Sequence, residues 1–140
     1  MKELTLSMDV VPKAIQSVRF SRFGKYQPIQ NVHWKAFIRL AATQQLPEDF
    51  QIFTGAVELI VRFTFPPLKS FSKKKLQEIE TGGTFYKTTK PDLNDNLMKG
   101  LCDALTGVVW NDDNQIAIVN TRKVYGKQGN ISIIVREIDE

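Results

Sequence analysis

The segment that decides the reading runs from Lys90 to Ile116, KPDLNDNLMKGLCDALTGVVWNDDNQI. From about Asn94 to Thr106 it carries helical spacing, with Leu97, Leu101, Ala104 and Leu105 on one apolar face. Gly107 then stands where a left-handed residue closes a helix. Asp95, Lys99 and Asp103 recur at every fourth position and form a polar stripe on the other side. Asp92 lies just before the first turn, and Asp112 and Asp113 lead into the next apolar run. A helix start and an adjoining strand can therefore converge their carboxylates on one lysine. Such a group suits Mg²⁺, which takes oxygen ligands from one or two carboxylates, water and phosphates. Three or four carboxylates suffice for two ions roughly 4 Å apart. The same stripe also reads as the solvated side of an ordinary helix, each Asp–Lys pair contributing about 0.2–0.5 kcal/mol. An EF-hand reading of Asp92, Asn94 and Asn96 fails, because Leu97 occupies the position that needs glycine.

Outward from this segment the elements alternate in type. Leu4 to Val10 reads as a first strand, ended by Val11-Pro12. Residues 13–29 interleave Lys13, Arg19, Arg22 and Lys25 with Phe20, Phe23 and Tyr26, and Gly24 marks a turn in a loop or loose hairpin. A helix is expected from Asn31, as N-cap, to about Gln45, with Val32, Ala36, Phe37, Leu40 and Ala41 as its apolar positions. Thr54 to Phe65 alternates as a strand and closes at Pro66-Pro67. Residues 69–90 allow a short helix around Ser72 to Glu80, and the remainder reads as mobile. Ile116 to Val124 and Ile131 to Ile138 are expected as two strands joined in a hairpin at Gly126–Gly129. This order is an α+β pattern.

The 140 residues fit one domain spanning 1–140. A charged fraction of 24% with nine Phe argues against disorder. The single Cys102 excludes an intrachain disulfide framework, and no apolar run approaches the roughly 20 residues of a membrane helix. Asp9 and Pro12 interrupt any signal-peptide core, so a cytoplasmic location is expected. Residues 1–90 hold 14 basic and 7 acidic side chains, whereas 91–140 hold 5 and 8. A basic surface favours a polyanion, while a carboxylate patch repels one unless cations intervene. His33 beside Trp34, Cys102 and Trp110 read as packing residues rather than as chemistry.

The segment 90–116 resembles the signature of the RusA family of Holliday-junction resolvases, approximately PDxDNLxK, then DAL, then DDxQ. Pro91-Asp92, Asp95-Asn96-Leu97, Lys99, Asp103-Ala104-Leu105, Trp110 and Asp112-Asp113-x-Gln115 occupy those places. The resemblance implies an α+β fold with a small mixed β-sheet against two main helices, assembled as a homodimer. It further implies a Mg²⁺-dependent endonuclease, with Mn²⁺ as a substitute and two ions per site, often of phage or prophage origin. Its substrate would be four-way-junction DNA, cut in pairs during recombination and repair, with no organic cofactor and no membrane partner. Asp92, Asp95 and Asp113 are then metal ligands, Asp112 an auxiliary one, and Lys99 catalytic. Arg19, Arg22, Lys25, Lys73, Lys74, Lys75 and Lys87 are the candidate DNA contacts. One departure stands out: Leu93 and Asn94 both separate Asp92 from Asp95, where the family pattern has one residue. Either the loop bulges to absorb Asn94, or Asn94 alters the coordination. The alternatives are a catalytically impaired junction-binding protein and a nuclease of other branched DNA.

Overall fold

The computed structural model describes residues 2–14, 19–26 and 28–139, of which 19–21 and 26 are described by their backbone. Strand β1 (Glu3–Met8) is followed by a small hairpin of β2 (Arg19–Ser21) and β3 (Gly24–Tyr26). Helix α1 (Ile29–Gln45), strand β4 (Val57–Phe65), helix α2 (Lys73–Glu80) and strand β5 (Phe85–Tyr86) come next. A π-helical turn (Leu93–Met98) runs directly into α3 (Lys99–Leu105). A 3₁₀ turn (Asp113–Gln115) then opens β6 (Ile116–Tyr125), and β7 (Asn130–Glu137) ends the fold. The five long-range strands form a mixed sheet in the order β1-β7-β4-β6-β5. The α+β expectation holds.

β4 is the centre of the sheet and shows why alternation reads as a strand. Val57, Leu59, Val61, Phe63 and Phe65 are all buried beneath the helices, while the residues between them face the other side. That other side carries a charged ladder in which Arg136 Nε donates to Glu3 Oε2 at 2.7 Å and lies near Glu58. The expected hairpin between the last two strands does not form. β4 lies between them, parallel to β6 and antiparallel to β7. The glycines assigned to a tight turn serve a crossing instead. A Cβ at Gly126 would lie 2.5 Å from Thr64 Cγ2, and one at Gly129 would lie 2.6 Å from the Val11 Cα. Only glycine lets the link pass this close to the end of β4 and to the segment after β1.

Helix α1 differs from its expected face and start. It begins at Ile29 with Pro28 as its cap, and Asn31 is buried inside it. Ile38 and Ala42 point into the core, whereas Val32, Phe37 and Leu40 are exposed. The helix is apolar nearly all round, so spacing alone did not identify the inward stripe. It is fixed by partners: Gln45 exchanges two hydrogen bonds with the Ser7 backbone, and Arg39 Nη1 donates to the Ala104 and Thr106 carbonyls at the end of α3. α2 starts at Ser72, whose side chain accepts from the Lys75 N–H, as its spacing predicts. The segment after it is not merely a loop, because Phe85 and Tyr86 pair with Tyr125 and Val124.

Candidate active site

The turn before β6 is built by its own motif. Asp112 caps it by accepting from the Asn114 N–H at 2.9 Å. Gln115 Oε1 accepts from the N–H groups of Asn111 and Asp112, at 2.8 and 2.9 Å. Its Nε2 donates to the carbonyls of Phe53 and Gly55, at 2.8 and 3.0 Å. Those four bonds use the full hydrogen-bonding capacity of the amide. They lock the acidic turn to the loop entering β4, so Asp113 projects from a fixed base. Beside it Trp110 is fully buried, with Nε1 donating to Thr106 Oγ1 at 3.0 Å. Sequence reasoning quoted Gln115 as part of a pattern and gave it no role. The signal was present as the D-x-x-Q spacing of a capping box.

The start of the signature helix is built differently. The Leu97 N–H donates to the Asp92 carbonyl, five residues back, at 3.1 Å, which is the π spacing. One additional residue fits in such a turn, so the helix itself absorbs Asn94. The preceding loop is anchored by Lys123, whose Nζ donates to the Thr89 and Pro91 carbonyls at 2.7 and 2.8 Å.

These two turns determine which side chains meet. Asn94, Lys99, Cys102 and Asp113 line one open groove of about 490 Å³, with Ile116 and Val119 as its apolar wall. Asp92 lies in a second groove with Lys13, Lys90 and Asn96. Asp95 is exposed on the π turn, and Asp103 is 3.5 Å from Lys35 of α1. Cys102 is half-buried; its burial first, then the charges of Asp113 and Asp103, push the thiol up to about 12. It is protonated and unreactive at neutral pH.

Lys99 and Asp113 are thus brought together, and Asp92 is drawn to the neighbouring groove. Among the described residues, no three His, Cys, Asp or Glu side chains converge as a metal site. The donor set of the first groove is nonetheless of the right kind. Asp113 and the Asn94 amide offer hard oxygens, and Mg²⁺ needs only one or two carboxylates when water and phosphate complete its shell. Lys13 and Lys90, beside Asp92, were not singled out from the sequence; the adjacency of Lys90 to Pro91-Asp92 was the available sign.

The candidate DNA contacts divide by their present work. Arg22 and Lys25 are exposed on the β2–β3 hairpin, with the Arg22 guanidinium 4.9 Å from the Phe23 ring. The side chain of Arg19 lies outside the described residues. Lys73 and Lys74 are exposed at the start of α2. Lys75 lies 4.0 Å from the Phe71 ring, and Lys87 is bonded to Thr89 and sits over Phe65 and Tyr125. No helix among the described residues is long and apolar enough to cross a membrane.

An α+β scaffold that presents lysine and aspartate in one groove beside a motif-built acidic turn matches a known class. This chain belongs to the RusA family, the family model described as "Endodeoxyribonuclease RusA" matching residues 9–136. It is also 33% identical over 123 residues to "Uncharacterized protein YqaN" of Bacillus subtilis (strain 168), a match covering 87% of this chain and 84% of that protein.

Proposed function

We propose that this protein is a Mg²⁺-dependent endonuclease that resolves four-way DNA junctions by paired, symmetric cuts in recombination and repair. The reading rests above all on the family match over residues 9–136, and the meeting of Lys99 with Asp113 in one groove supports it. Asp113 and Asn94 would hold the cation, with Mn²⁺ able to replace it, and a second ion would call on Asp92 and Asp95. A bound divalent ion supplies positive charge to the scissile phosphate and lowers the pKa of a coordinated water. Lys99 places its ammonium where negative charge grows on the phosphorus oxygens during attack. Gln115 and Asp112 keep the carboxylate of Asp113 from swinging away. Lys13 and Lys90, with Arg22, Lys25, Lys73 and Lys74, offer the positive charge that draws DNA phosphates to the grooves. Two symmetric cuts in one junction call for two equivalent sites, which a two-fold homodimer supplies.

The separation of Asp92 from Asp113 favours a second reading, a junction-binding protein without turnover. Incubating a synthetic four-way junction with the protein in Mg²⁺, Mn²⁺ or EDTA separates the two. The nuclease reading expects cutting with either metal and none in EDTA. Binding throughout with no cutting supports the second reading and overturns the first. Parallel reactions on linear and Y-shaped DNA report whether the preference is for four-way junctions or for branched DNA in general.

A further inference from the structure

β6 has two sides, and only one is fully used. β4 pairs along its whole length, whereas β5 reaches only Val124 and Tyr125 on the other side. The Lys123 carbonyl accepts from the Lys87 N–H at 3.0 Å, and there the coverage stops. At the other end a bulge at Ala117 interrupts the ladder with β4. Between these limits, residues 118–122 form an open edge among the described residues. The edge is apolar, with Ile118 47% and Val119 51% exposed. Such an edge offers unpaired N–H and C=O groups to another strand, and monomers usually blunt it with proline or an inward-pointing charge. No proline stands in 116–125, and Arg122 comes only at the end of the stretch.

We propose that this edge pairs antiparallel with the same edge of a second copy, about a two-fold axis at Asn120. The proposal rests on the two-fold assembly of the preceding section and adds where the copies meet. A two-fold axis normal to the sheet makes strand pairing antiparallel and joins the two sheets into one of ten strands. Centring the register on Asn120 uses the whole open stretch. Ile118 then faces Arg122 of the partner subunit, whose aliphatic stem covers it, and Val119 faces Thr121 of the partner subunit. Charge favours the same direction. The strand is preceded by Asp112-Asp113 and ends in Arg122-Lys123, so antiparallel pairing turns each acidic end toward a basic end. Parallel pairing would set like charges side by side. Val119 also lines the Lys99–Asp113 groove, so both grooves open on the same face of the joined sheet, on either side of the seam.

The test places a single cysteine in a Cys102→Ala background, at Asn120→Cys or, as comparator, at Leu40→Cys on the exposed side of α1. Opposed cysteines in an antiparallel pair lie within disulfide range. On mild oxidation the Asn120→Cys protein should convert mostly to a linked dimer, and the Leu40→Cys protein should stay unlinked. In the unaltered protein, amide exchange at 118–122 should slow as protein concentration rises. A dimer by light scattering that links through Leu40→Cys, with 118–122 exchanging freely, overturns this interface and leaves the two-fold reading standing. A protein that stays monomeric at every concentration overturns it as well, and junction cleavage, measured separately, then decides the nuclease reading alone.

Discussion

At one end of the signature, Gln115 makes four side-chain hydrogen bonds that hold Asp112 and Asp113; at the other, the Asp92 turn depends on a widened helical turn and on Lys123. The first arrangement is saturated. Each polar group of the motif has a fixed partner, so an inserted residue would break several bonds at once. The second is a backbone ladder, which can take one more residue by changing from α to π spacing while keeping its bonds. The chain carries its extra residue, Asn94, in the end that can absorb it. The consequence for the site is unequal: Asp113 keeps its place beside Lys99, while Asp92 sits in a different groove.

The contrast can be broken by substitution, beginning with the largest effect. Asp113→Asn should abolish junction cleavage while binding stays intact or tightens, because the amide keeps the shape and loses the charge that holds a cation and repels phosphate. Gel-shift and cleavage assays on one preparation check both halves. Lys99→Ala should lower kcat by on the order of 10²–10³, the usual loss for one donor to a developing negative charge. Single-turnover rates decide it, and a wild-type rate would remove Lys99 from the chemistry. Gln115→Ala should destabilise the protein by about 2 kcal/mol, since several bonds of roughly 0.5–1.5 kcal/mol each are lost and backbone carbonyls are left unpaired. Denaturant midpoints measure this, and cleavage should fall with it because Asp113 loses its base. Deleting Asn94 should be the mildest change, within about 1 kcal/mol of the parent, with the turn closing to α spacing. Amide exchange at Leu97 reads the new bond, and a deletion as disruptive as Gln115→Ala would erase the contrast between the ends.

Much of the fold was legible where a period met a boundary residue. β4 alternates cleanly up to Pro66-Pro67, and α3 ends at Gly107, whose φ of 86° is the left-handed closure its position implies. α1 was harder to read, because Val32, Phe37 and Leu40 are as apolar as the residues it buries. Strand order was not legible at all: nothing local to Gly126–Gly129 tells that β4 slips between the strands they join. At the site, residue types and spacing named Lys99 and Asp113. The division of the carboxylates between two grooves was hidden, since a π turn rotates each residue by less than the 100° assumed for an α-helix and so moves Asp95 and Asp92 off the expected stripe. Asn94 was noted as an intruder; that it faces the groove required the backbone.

Cation binding measured without DNA cutting compares the two ends most directly. Mn²⁺ titrations followed by paramagnetic resonance, on the wild type, Asp113→Asn and Asp92→Asn, put the carboxylates of the two grooves side by side. The groove of Lys99 and Asp113 predicts that Asp113→Asn loses bound Mn²⁺ and that Asp92→Asn retains most of it. Retention in Asp113→Asn together with loss in Asp92→Asn would contradict the account and move the cation to the groove of Lys13 and Lys90.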